Sequence, residues 1–102
     1  VQILANIGDE RAIEPLIKTL NDPNKLVRRE TSTALTSMGD AAIEPLMNVL
    51  DDENWKVRGA ACWVLGGLQA NEALPLIEKH LEDESSFVRA GAKYAVKALK
   101  KE

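Results

Sequence analysis

Three prolines, Pro15, Pro45 and Pro75, stand thirty residues apart, and the segments around them read IEPLIKTL, IEPLMNVL and ALPLIEKHL, the third longer by one residue. Self-similarity at a fixed period of this length marks a stacked-repeat architecture, in which each unit buries its apolar face only against its neighbours. The period extends past the prolines: each unit carries an aspartate six residues before an arginine, as Asp22/Arg28, Asp52/Arg58 and Asp83/Arg89, with Val27, Val57 and Val88 before the arginines. Two apolar faces recur in every unit. Ile13, Leu16, Ile17 and Leu20 are repeated as Ile43, Leu46, Met47, Leu50 and as Leu74, Leu76, Ile77, Leu81. Downstream, Val27, Thr31, Ala34, Leu35 and Met38 are repeated as Val57, Ala61, Val64, Leu65, Leu68 and as Val88, Ala92, Ala95, Val96, Leu99. These offsets follow a helical period, and no segment shows strand alternation. Each unit is therefore expected to be two helices, and the fold all-α.

Boundary residues agree with this reading. Gly8-Asp9 and Gly39-Asp40 offer a C-terminal glycine to one helix and an N-capping aspartate to the next, and Asp22, Asp52 and Asp83 are cap candidates for the second helices. Proline deep in a helix costs about 3 kcal/mol, so the three periodic prolines are expected in the first turn or at a local kink. The units then span 9–38, 39–68 and 69–102, with 1–8 matching the end of a second helix from a truncated earlier repeat. Lys93 and Lys97 replace the small residues that would admit a following unit, so the last helix reads as a polar C-terminal cap.

The stretch GDERAIEPLIKTLNDPNKLVRRETSTAL resembles HEAT repeats, in particular the short HEAT-like repeats named after phycobilisome lyases, and the likeness covers essentially the whole chain. It implies a right-handed α-solenoid of antiparallel helix pairs, wound as a two-layer superhelix with the second helices on its concave surface. The family includes scaffolds, chromophore lyases and iron-dependent hydroxylases, so the likeness names an architecture and not an activity. The hydroxylase relatives use paired His-Glu motifs, whereas here the one histidine, His80, is followed by Leu81.

Chemistry finds little support in the composition. One cysteine, Cys62, and one histidine exclude an intramolecular disulfide and a zinc site made of Cys and His alone. There is no Gly-rich phosphate loop, no GxSxG elbow and no nucleophile with a credible base, so neither an enzyme nor a cofactor or metal site is expected. Cys62 is read as a buried inert thiol, His80 as solvated, and the Asp–Arg pairs as a ladder tying successive loops together. The longest run free of polar side chains, Gly59 to Leu68, is ten residues, too short for a membrane span. A reducing, cytoplasmic setting is the default. With 13 Lys+Arg against 16 Asp+Glu the net charge is −3, which argues against a nucleic-acid partner. Residues 39–68 hold two cations and five anions, which would suit a basic partner.

The aromatics carry the functional signal. Each second helix has a stripe at four-residue spacing apart from its core face: Lys25, Arg29, Thr33, Ser37; Trp55, Gly59, Trp63, Gly67; and Ser86, Ala90, Tyr94, Ala98. These columns line up across the stack, with Leu26, Glu30, Lys56, Ala60, Phe87 and Gly91 beside them. Trp63 and Tyr94 fall at equivalent positions and should form one platform, while Gly59, Gly67 and Gly91 either floor a shallow groove or admit neighbouring atoms. Interface hot spots favour Trp, Tyr and Arg. The candidate partner-binding residues are Trp55, Trp63, Phe87, Tyr94, Arg29, Leu26, Gly59 and Gly91, for a protein or peptide partner. The alternative is a homo-oligomer that buries the same stripe or an open N-terminal edge.

Overall fold

A computed structural model describes residues 10–101, and every regular element within them is helical. The α-helices are α1 (Ile13–Thr19), α2 (Lys25–Ser37), α3 (Ile43–Asn48), α4 (Trp55–Gly67), α5 (Leu74–Glu78) and α6 (Ser86–Lys100). Short 3-10 turns lead into α1, α3 and α5, and another, Lys79–Glu82, follows α5. Helices pair as α1 with α2, α3 with α4 and α5 with α6; α1 also meets α3, and α4 lies between α2 and α6. The expected boundary at Gly8-Asp9 and the segment 1–8 lie outside the described residues.

The periodic prolines sit in the first α-turn, as expected, just after the change from 3-10 to α geometry. Amides there have no intrahelical acceptor, so the missing N–H of proline leaves nothing unmade. Gly39 closes α2 with φ +71°, and thirty residues on Gln69 adopts φ 59° in the same role. A side chain in that conformation is strained by about 1 kcal/mol.

Second-helix starts differ from expectation. Asp22, Asp52 and Asp83 are not the N-caps; Asn24, Asn54 and Ser85 are, accepting from the backbone of Leu26, Lys56 and Val88. Each aspartate instead accepts from the backbone N–H of its cap residue at 2.8–2.9 Å. The arginine six residues on donates to the aspartate's main-chain carbonyl at 2.7–2.9 Å. Aspartate, cap and arginine thus form one self-contained device that stops the loop and starts the helix. Asp40 caps nothing either: it lies inside a 3-10 turn whose preceding residue is Met38.

The core is the set of faces read from the period, with Leu16, Leu20, Leu35, Leu46, Leu50, Leu65, Ile77 and Val88 essentially inaccessible. One assignment changes. Leu81 is 39% exposed, and His80 takes the buried position of Leu20 and Leu50. The third unit keeps its register from the proline, and the additional residue is absorbed after the helix. An imidazole in that layer needs polar partners. Its Nδ1 lies 3.2 Å from Asp83 Oδ2, and its Nε2 lies 3.3 Å from Asp51 Oδ1 of the preceding unit.

Candidate functional site

The outward stripe of the second helices is where the exposed rings collect. Trp55, Trp63, Phe87 and Tyr94 are 44%, 37%, 37% and 41% exposed, yet each is fixed by another ring. Trp63 stacks on Tyr94 with centroids 4.6 Å apart and planes inclined by 29°. Trp55 meets Phe87 edge to face at 5.6 Å and 77°. The Lys56 ammonium stands 5.6 Å from the Trp55 ring centroid, a distance at which the quadrupole attracts it.

Glycines make these pairings possible by letting α4 and α6 approach. A Cβ on Gly66 would stand 2.8 Å from the Ala95 Cα, and one on Gly91 would stand 2.9 Å from both the Gly59 carbonyl oxygen and the Trp63 ring. A Cβ on Gly59 would overlap the Phe87 ring. Gly59 and Gly91 are therefore buried seats for Phe87 and Trp63, not an open groove floor; of the three stripe glycines only Gly67 has open space above it.

A groove of about 830 Å³ opens beside the rings. α2 lines it with Lys25, Arg28, Arg29, Ser32 and Thr33, while α4 supplies Trp55, Lys56, Ala60 and Trp63, and α6 supplies Phe87. Of the eight candidate residues, Arg29, Trp55, Trp63 and Phe87 line it. Tyr94 backs Trp63, and Leu26 is 61% exposed outside the lining. The sequence gives no reason to place Arg28, which its pairing with Asp22 puts in the ladder, or Ser32 in the groove beyond their four-residue spacing along α2, one step from Arg29 and Thr33. None of the five acids of residues 39–68 lines the groove, and the central unit presents Lys56 there.

The Asp83 carboxylate accepts from Arg58 Nε and Nη2, both at 3.0 Å, linking the second unit to the third. Burial would raise the Asp83 pKa, but the bonds from Arg58, the Ser85 amide and His80 outweigh it and hold the carboxyl down at about 2. Asp83 in turn raises the Arg58 pKa against the opposing effect of burial. The expected ladder closes through a carboxylate at this step only: Arg28 and Asp52 form no ion pair, and Asn54 donates instead to the Asn21 side chain. Burial pushes the Cys62 thiol up to about 12, with Asp83 adding to the rise and Arg58 opposing it, so no thiolate nucleophile is at hand. His80 is buried and paired, not solvated. Among the described residues no group of three His, Cys, Asp or Glu could hold a metal ion, and no helix is long and apolar enough to cross a membrane.

No curated protein matches the chain significantly. The family model for HEAT repeats matches twice, over residues 1–47 and 43–102. Paired helices at a thirty-residue period, with matches running from one end to the other, show that the chain belongs to the HEAT repeat family.

Proposed function

We propose that the chain is a non-enzymatic scaffold that binds a protein or peptide partner on the face formed by its second helices. HEAT repeats commonly mediate protein–protein interaction, and the geometry of the aromatics supports that role here. On this reading the fold is a right-handed two-layer superhelix of short, phycobilisome-lyase-type units at 9–38, 39–68 and 69–102, working in the cytoplasm with its second helices concave. The observation that carries the proposal is the Trp63–Tyr94 stack, whose rings are held from below by Gly91 and Gly66 while more than a third of each stays in water. A large ring already fixed in place loses little entropy on binding, which is what a hot-spot anchor requires.

The test is a quantitative pull-down from the source organism's lysate with the wild type and a Trp63→Ser/Tyr94→Ser variant whose fold is verified by circular dichroism. Loss of a specific partner from the folded variant supports the assignment. Retention of the same partners makes the rings structural. A dimer that dissociates on dilution, seen by light scattering and abolished in the variant, would instead assign the stripe to self-association.

A further inference from the structure

The lining of the groove restricts what it accepts, on the reading that it accepts a protein segment at all. Lys25, Arg28, Arg29 and Lys56 line it, Arg28 with its guanidinium tied to the Asp22 carbonyl, and none of the lining residues is acidic, in a chain whose net charge is −3. Lys25 and Arg29 are exposed and make no ion pair. Two like charges one helical turn apart and without an ion-pair partner repel, and an anionic occupant removes that repulsion. The charge is also graded across the stack. It is concentrated on α2, gives way on α4 to Trp55 and Trp63 with Lys56 between them, and is absent from the α6 column of Ser86, Ala90 and Tyr94.

We infer that the occupant is an acidic peptide segment with one large apolar or aromatic anchor, laid across the stack with its carboxylates over Lys25 and Arg29 and its anchor among Trp55, Trp63 and Phe87. Arginine binds carboxylate through paired charge-assisted hydrogen bonds, and the rings supply apolar area for the anchor. A nucleic acid fits less well. Its phosphates repeat without interruption and need cations along the whole track, whereas the cations lining this groove come from α2 and from Lys56 alone, and α6 contributes only Phe87 to it.

Selection from a random twelve-residue peptide library displayed on phage tests this, using the wild type, a Lys25→Glu/Arg29→Glu variant and the Trp63→Ser/Tyr94→Ser variant. Both altered cations are exposed, and folding is checked by thermal melting. The wild type should enrich peptides rich in Asp and Glu with an aromatic or large aliphatic residue. Synthetic copies of these should bind about tenfold or more weakly to the charge-reversed variant, and more weakly as salt rises. Enrichment of neutral or basic peptides, or undiminished binding to the charge-reversed variant, overturns the acidic assignment while leaving the groove a peptide site. Tighter binding of a single-stranded oligonucleotide than of any selected peptide overturns it in favour of nucleic acid. No enrichment over the Trp63→Ser/Tyr94→Ser variant removes the groove reading and this inference with it.

Discussion

Between α4 and α6 the chain places Gly59, Gly66 and Gly91 where the backbones approach, and the neighbouring helix fills each vacancy with a ring or with Ala95. Between α2 and α4 the α2 positions equivalent to Gly59 and Gly66 carry Arg29 and Thr36, with Ser32 and Thr33 beside them, and a groove remains. α4 accordingly packs far more extensively on α6 than on α2. The polar ties differ in the same sense, with Arg58 and Asp83 joined through two hydrogen bonds at one junction and an amide contact between Asn54 and Asn21 at the other. Two junctions at the same sequence period thus divide the work: one is closed and holds the rings, the other is open and presents charge.

Removing the tie at the closed junction should have the largest effect. Asp83→Ala leaves Arg58, whose side chain is 13% exposed, without its carboxylate and removes the acceptor for the Ser85 amide. A loss of about 3 kcal/mol in urea-measured stability is expected. Asp52→Ala removes only the acceptor for the Asn54 amide and should cost about 1 kcal/mol. Equal losses would mean that the ion pair contributes nothing beyond the loop.

Acid tests the same pair without a cavity. The Asp83 pKa is lowered from 3.8 to about 2, so its contribution is fully present above about pH 4 and is lost as pH falls through about 2. The depression corresponds to about 2 kcal/mol for this nearly buried side chain. Between about pH 5 and about pH 2 the wild type should therefore lose about 2 kcal/mol more than Asp83→Asn. Parallel losses in the two proteins would show that the pair does not titrate with folding.

The packing half of the contrast can be exchanged directly. Gly66→Thr puts the residue of the equivalent α2 position, Thr36, into the closed junction, where its Cβ meets the Ala95 backbone at 2.8 Å. Backbone cannot swing aside as a side chain can, so a loss of about 2 kcal/mol is expected, with the near-ultraviolet dichroism of the Trp63–Tyr94 stack reduced. Unchanged stability would mean that α4 and α6 are not pressed together as described.

These features were legible in the sequence to different depths, for physical reasons. Helical faces were readable because burial on a regular helix repeats with the helix itself, and Pro15, Pro45 and Pro75 carry the register. The exchange of His80 for Leu81 was not readable: hydropathy favours leucine for the core, and only the partners of the imidazole, Asp51 and Asp83, make histidine acceptable there. Asp22, Asp52 and Asp83 read as caps two residues too early because aspartate is as competent a cap as asparagine or serine, and Asp-x-Asn in two units and Asp-x-Ser in the third use both residues. The stacking of Trp63 on Tyr94 followed from equivalent positions on adjacent helices. Whether Gly59 and Gly91 were open or filled did not, since the filling groups come from elsewhere in the fold.

The smallest effect should have the opposite sign. Gly67 adjoins Gly66 in sequence but faces solvent, and a Cβ there would meet nothing within 4 Å. Its φ is not positive, so alanine fits its backbone. Gly67→Ala should therefore gain about 0.5 kcal/mol, less than the full helix-interior difference because the residue is the last of α4. Paired with Gly66→Thr in one denaturation series, it separates the propensity of a helical glycine from its role as a seat. If Gly67→Ala also destabilises, the second glycine is a seat too, and the closed junction extends to the end of α4.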